Sequence, residues 1–301
     1  MLELVRIETG RGRTGGPMAG AESGSDADPD PAANTLAVGL ARTAQELEAI
    51  QRLRYQVFTE DMGAVFPGSP EGIDQDRFDP WCEHLMVREL NTDRIVGTYR
   101  LLTPEKARAA GGYYAETEFD LRGLGALRDG LVEAGRSCTH ADFRSGAVIM
   151  LLWSGVAEFM RRGGYDTLLG CASVSLRDGG AMAAHLWRAV SASASQEALA
   201  RVRPLRRYAI DAEPDETLPV RMPALIKGYL KLGARICGEP AWDPDFNSAD
   251  FPVLLHMDQM DRRYRRHFGL PPGPDTAASG ASASGAGASR ADASRRQRRA
   301  A

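Results

Sequence analysis

The apolar residues of this chain change their spacing again and again, and the order of those changes leaves few folds open. Leu36, Val38 and Leu40 alternate, which predicts a strand over 35–41. Thr43 and Glu46 form a capping box. The helix it opens carries Leu47, Ile50, Leu53, Val57 and Phe58 on one face and should end near Gly63. HLMVREL (84–90) and RIVGTYRLLT (94–103) flank Asn91-Thr92-Asp93 and read as a hairpin. GLVEAGRSCT (130–139) reads as a central strand, and Gly146 to Arg162 as a helix with apolar residues three and four apart. YDTLLGCAS (165–173) is a short buried strand. Helices near 180–191 and 222–233 follow, separated by a Pro-rich break, and FPVLLHM (251–257) is a late strand. Strand, helix, hairpin, strand, helix, strand, helix, strand predicts an α/β sheet of mixed direction with helices on both faces.

Composition sets the limits of that unit. Residues 9–34 hold almost no large apolar side chain, so residues 1–34 are expected to be a disordered N-terminal arm. Residues 269–301 are mostly Ala, Ser, Gly and Pro, ending in Arg290, Arg295, Arg296, Arg298 and Arg299, and read as a disordered basic tail. Residues 35–268 remain as one domain with a C-terminal extension. A net charge of −3 does not suit a polyanion binder, and neither a membrane span nor the apolar core of a secretory signal is present. Four scattered cysteines point to reduced thiols, hence a cytoplasmic protein, with the basic tail as a means of peripheral contact with an anionic membrane. No Walker loop, GxSxG or HExxH occurs, and the five histidines lack metal-ligand spacing, so neither a cofactor nor a metal is expected.

What stands out is charge inside apolar segments. Arg54 lies in LRYQVF, Asp74, Asp76 and Asp79 in IDQDRFD, Arg100 in VGTYRLL, and Glu133 and Arg136 in LVEAGRSC. A buried charge costs several kcal/mol unless paired, so these residues either face solvent or pair within a polar site.

The blocks LRYQVFTEDMGA, DQDRFDPWCEHLMV, IVGTYRLLTP, GGYYAETEFDL and EAGRSC, then LLGCASV and LIKGYLKLGARICGEPAWDPDFNSADF, resemble the ornithine-lipid N-acyltransferases, a group also called haemolysin-like. The resemblance spans about residues 36–268. It implies a GNAT-like fold, a mixed and splayed sheet flanked by helices, related to acyl-homoserine lactone synthases. The implied reaction moves a 3-hydroxyacyl chain from the phosphopantetheine thioester of acyl carrier protein to the α-amine of L-ornithine, giving a lyso-ornithine lipid. Arg54, Phe58, Asp76, Asp79 and Arg100 match substrate-binding positions, and Glu133 with Arg136 a catalytic Glu-x-x-Arg. Arg144 and Gly146, in FRSGAV, stand where acetyltransferases carry a longer pyrophosphate loop. The shortened loop favours a carrier-protein donor over acetyl-CoA, and the absent HxxxxD motif fits a separate O-acyltransferase for the second acylation.

Such chemistry asks for a base, a carboxylate clamp and an ammonium site. Glu133 is expected as the base, held ionised by Arg136. Arg54 or Arg100 suits the acceptor's carboxylate and Asp76 or Asp79 its side-chain ammonium. Phe119, Leu152 and Trp153 are candidate walls for the acyl chain. Arg201, Arg203, Arg206 and Arg207, and then Arg262, Arg263, Arg265 and Arg266, would suit docking of an acidic carrier protein; without aromatic interleaving they do not suggest nucleic acid. The competing readings are a lactone synthase, an N-acyltransferase for another amino acid, and a membrane-active haemolysin-like protein.

Overall fold

The computed structural model describes residues 1–9, 34–192, 199, 201–210 and 222–271. In chain order the strands are β1 (Leu2–Thr9), β2 (Asn34–Leu40), β3 (Glu83–Glu89), β4 (Arg94–Leu102), β5 (Phe119–Asp120), β6 (Leu131–Thr139), β7 (Thr167–Ser175), β8 (Arg203–Pro204), β9 (Arg235–Ile236), β10 (Ala241–Asp243) and β11 (Ser248–His256). The helices are α1 (Ala44–Met62), α2 (Pro104–Ala110), α3 (Ala147–Gly163), α4 (Ala181–Ser191), α5 (Ala224–Leu232) and α6 (Arg262–His267). The main sheet runs β1-β2-β3-β4-β6-β7-β11-β10 with β9 beside β11, while β5 pairs with β8 apart from it. Only the β6–β7 pair is parallel among the described strands.

Local signals explain the elements that hold the site. Thr43 and Glu46 form both halves of the capping box of α1, and Gly63 closes that helix in the left-handed conformation. α3 buries Val148, Leu151, Leu152, Val156 and Met160 under one face of the sheet. Leu53, Val57 and Phe58 of α1 cover the other, against Cys138.

Two boundaries differ from expectation. Leu2–Thr9 is not part of a disordered arm: it pairs antiparallel with β2, from Leu2 opposite Leu40 to Thr9 opposite Asn34. The alternation is broken in LELVRIET, where the apolar positions switch from even (Leu2, Leu4) to odd (Val5, Ile7). A register irregularity between Glu3 and Val5 absorbs the switch. Leu4 and Val5 pack against the core, and β1 shields the apolar edge that β2 would otherwise present. Residues 10–33 of the expected arm lie outside the described residues. At the other end the ordered chain continues past 268, because the Arg265 guanidinium donates to the Pro271 carbonyl (2.9 Å from Nε). The remainder of the expected tail, 272–301, lies outside the described residues.

The sheet is split at its centre. β6 and β7 share only the register Leu131–Glu133 against Thr167–Leu169. Beyond Glu133, among the described residues, β6 pairs only with β4 and β7 only with β11. The expected mixed sheet with helices on both faces is present, and it opens as a V toward the C-terminal end of β6.

Candidate active site

Six of the seven charged residues singled out from sequence, all but Glu133, form a closed ring. Arg54 on α1 pairs with Asp74 (3.0 Å) and Asp79 (2.8 Å). Arg100 on β4 pairs with Asp79 (2.8 Å) and Asp76 (2.7 Å). Arg136 on β6 pairs with Asp76 (3.2 Å) and Asp74 (3.2 Å). Each arginine bridges two aspartates and each aspartate joins two arginines, so three charges of each sign cancel in a buried loop. Burial opposes the charge on Asp79, but the Arg54 and Arg100 guanidiniums outweigh it and hold its carboxyl well below the usual range. Asp76 is lowered for the same reason, by Arg100 and Arg136.

A backbone irregularity completes the ring. In a regular strand Glu133 and Arg136, three apart, would face opposite sides. Arg136 instead adopts φ of 50°, and the β4–β6 register slips between Thr98 and Arg100. The slip turns Arg136 to the face of Glu133, at about 1–2 kcal/mol for a non-glycine residue in the left-handed region.

Glu133 does not pair with Arg136, contrary to expectation. Arg136 is committed to Asp74 and Asp76, and its guanidinium stacks on the Tyr114 and Phe246 rings at 4.8 and 4.7 Å. Glu133 accepts backbone N–H bonds from Tyr114 (2.7 Å) and Ala115 (2.6 Å), which open a short 3-10 turn. Burial pushes its carboxyl up to about 7, against the pull of those two amides. It is therefore a carboxyl that titrates near neutrality, as a general base should.

Four cavities meet here. The central one, about 150 Å³, occupies the V and is lined by Glu133, Arg136, Arg100, Phe58, Asp243 and Asp250 among others. A second, about 70 Å³, continues from it behind the sheet between β6, β7, α3 and α5, and its walls are almost wholly apolar. It shares Tyr99, Ala134, Cys171, Ala172 and Tyr229 with the first. A groove along the start of α3 reaches the centre past Phe58, Met62, Ser137 and Leu225 and carries Arg144 and Gly146. A last cavity reaches it from the opposite side, past Tyr114, Arg136, Asp243 and Phe246. Three carboxylates border the junction on that side: atoms of Glu118, Asp243 and Asp250 lie within 4.8 Å of one another. Burial raises all three, Asp250 to about 6; repulsion within the trio adds to it for Glu118 and Asp250, and repulsion from Asp245 for Asp243.

The structure thus sorts the expected site residues. Glu133, Arg136, Arg100 and Phe58 line the central cavity, Asp76 the cavity on its opposite side, and Arg144 and Gly146 the groove. Gly146 caps α3 at φ of 98°, and no side chain caps that helix start. Arg144 pairs with Asp61 at 2.7 Å. Arg54 and Asp79 line none of these cavities; they are buried behind the wall. Of the candidate acyl walls, Trp153 lines the apolar cavity, whereas Leu152 is packed under the sheet and Phe119 belongs to a separate core cluster. The basic clusters are partly structural: Arg265 is buried, Arg207 pairs with Glu239 (2.7 Å), and Arg206 stacks on Trp242 (4.0 Å). Sequence reasoning missed Glu118, Asp243, Asp250, Tyr99 and Tyr229. Each of the three carboxylates stands within three residues of an aromatic, in EFDL, WDPDF and SADF, which marks a carboxylate in apolar surroundings.

Residues 53–154 match a family profile described as an acetyltransferase (GNAT) domain. The fold is that of GNAT-like acyltransferases, and the chain is an acyltransferase. It is 35% identical over 253 residues to the L-ornithine N(alpha)-acyltransferase of Brucella abortus, covering 78% of this chain and 89% of that one. It is 36% identical to the protein of the same name from Rhodobacter capsulatus, over 77% of this chain and 93% of that one. The chain belongs to the L-ornithine N(alpha)-acyltransferase family. Among solved structures it is similar to an N-acyl amino acid synthase from uncultured soil microbes (TM-score 0.47, 12% identity, 77% and 93% covered). A CoA-dependent acyl-homoserine lactone synthase also matches (TM-score 0.45, 17% identity, 77% and 88% covered). No helix among the described residues is long and apolar enough to cross a membrane.

Proposed function

We propose that the chain transfers a 3-hydroxyacyl group from the phosphopantetheine thioester of acyl carrier protein to the α-amine of L-ornithine. The observation that carries this reading is the meeting of two approaches at Glu133. The groove at the start of α3 suits a thioester arm, with its acyl chain continuing into the apolar cavity. The opposite cavity suits a small zwitterionic acceptor, because its inner end presents a guanidinium, Arg136, beside three carboxylates. Arg136 and Arg100 would take the α-carboxylate, and Glu118, Asp243 and Asp250 the side-chain ammonium. Asp79, saturated by two arginines and Gln51, has no capacity left for that task.

In the reaction Glu133 accepts a proton from the α-ammonium, directly or through water. The free amine attacks the thioester carbonyl, the C–N bond forms, the C–S bond breaks and the thiolate takes up a proton. Backbone N–H groups where β6 leaves β7 are available to the oxyanion. Holding the two reactants in line can supply as much as about 7–11 kcal/mol of the barrier reduction. The test is turnover of purified protein with ornithine, comparing 3-hydroxyacyl carrier protein with acetyl-CoA and following the product by mass spectrometry. Efficient turnover with the carrier-protein donor is expected. Ordinary enzymatic rates with acetyl-CoA and none with the carrier-protein donor would overturn the reading.

A further inference from the structure

Between the central cavity and the apolar one the passage narrows to a throat framed by five side chains, of which two end in hydroxyls. Tyr99 comes from β4 and Tyr229 from α5, and their phenolic oxygens are 2.5 Å apart. Tyr99 is almost wholly buried, and burial raises both phenols, Tyr99 to about 12, so both keep their protons. The Ser137 hydroxyl stands beside them on β6. Trp153, 8% exposed, lines the same apolar cavity and packs against Tyr229 at 5.9 Å, and its Nε1–H is buried without a hydrogen-bond partner among the described residues. Gly228 makes this packing possible, since a Cβ there would meet the Trp153 ring at 2.3 Å.

An unbranched alkyl chain needs none of this polarity. The Tyr99, Tyr229 and Ser137 hydroxyls bond to one another and still turn lone pairs toward an apolar passage, next to the Trp153 Nε1–H, a donor left over. A partner that both donates and accepts would complete the set. We infer that Tyr99 and Tyr229 form a subsite for a hydroxyl carried on the acyl chain close to its thioester, with Trp153 as the adjacent donor. This rests on the reading that the apolar cavity receives the donor's acyl chain, and it assigns the preference for a 3-hydroxylated chain to specific residues.

The experiment measures binding, so that it does not depend on ornithine being the acceptor. A matched pair of acyl-pantetheines of equal length, one 3-hydroxylated and one unsubstituted, is titrated into the intact protein by calorimetry. One net hydrogen bond corresponds to about ten-fold in affinity. The native protein should favour the hydroxylated probe by about that factor or more. Tyr229→Phe and Tyr99→Phe, which keep the rings and the packing, should bring the ratio toward one by weakening the hydroxylated probe. Equal binding of the two probes by the native protein, or a ratio that survives both substitutions, would overturn the assignment. A tyrosine-dependent preference without any acylation of ornithine would uphold it and overturn the function proposed above.

Discussion

Glu133 and the ring beside it answer to different experiments, because one titrates near neutrality and the other stays charged there. Removing the carboxylate by Glu133→Gln should lower kcat/KM by roughly 10²–10⁴-fold, the usual contribution of a general base. The native profile should rise with pH through about 7, where the buried carboxyl ionises, and that limb should vanish in the variant. A limb that persists unchanged would assign the proton to another group. Arg54 is fully buried and reaches no cavity, so Arg54→Ala should act on stability, by about 3–5 kcal/mol for an uncompensated buried pair, in urea unfolding. The six ring members were legible in the sequence because charges in apolar runs must find partners. Their pairing was not, since it depends on the left-handed turn at Arg136, and nothing in EAGRSC marks a non-glycine residue for that conformation. The expected Glu133–Arg136 pair does not form because Asp74 and Asp76 already hold that guanidinium.

At the scale of elements, capping boxes and clean alternation made α1, β2, the hairpin and β6 readable to within two or three residues. β1 escaped because its pattern changes parity halfway, which a period-two reading takes for irregular chain. Its pairing with β2 leads to a definite expectation: deleting residues 1–9 should lower the melting temperature by several degrees and promote association through the uncovered edge of β2. An unchanged, monodisperse protein would show that β1 contributes nothing. The apolar cavity depends on a close approach between α5 and α3. Gly228→Ala forces Trp153 to shift into the apolar cavity, and shorter acyl donors should be favoured over longer ones in competition assays.

For the molecule as a whole, two groups of carboxyls oppose each other across the pH scale. Asp76 and Asp79 have lowered native values, so they add stability above the range where carboxyls ionise in the unfolded chain and lose it as pH falls. Glu133, Glu118 and Asp250 have raised values, so the native state binds the extra protons and stability declines as pH rises. For Glu133 the decline lies between about 4.5 and about 7 and is of order 3 kcal/mol. The unfolding free energy should therefore peak at mildly acid pH, and Glu133→Gln should flatten the neutral side of the curve. The alternating ring carries a further consequence, for how such a chain can diverge. It ties together α1, the 74–79 loop, β4 and β6, so that a neutral replacement at any one of six positions strands a charge on two neighbours. Neutral drift cannot leave such an arrangement one step at a time. The six positions should persist or disappear as a set among descendants of this chain, while the surface arginines around them turn over freely.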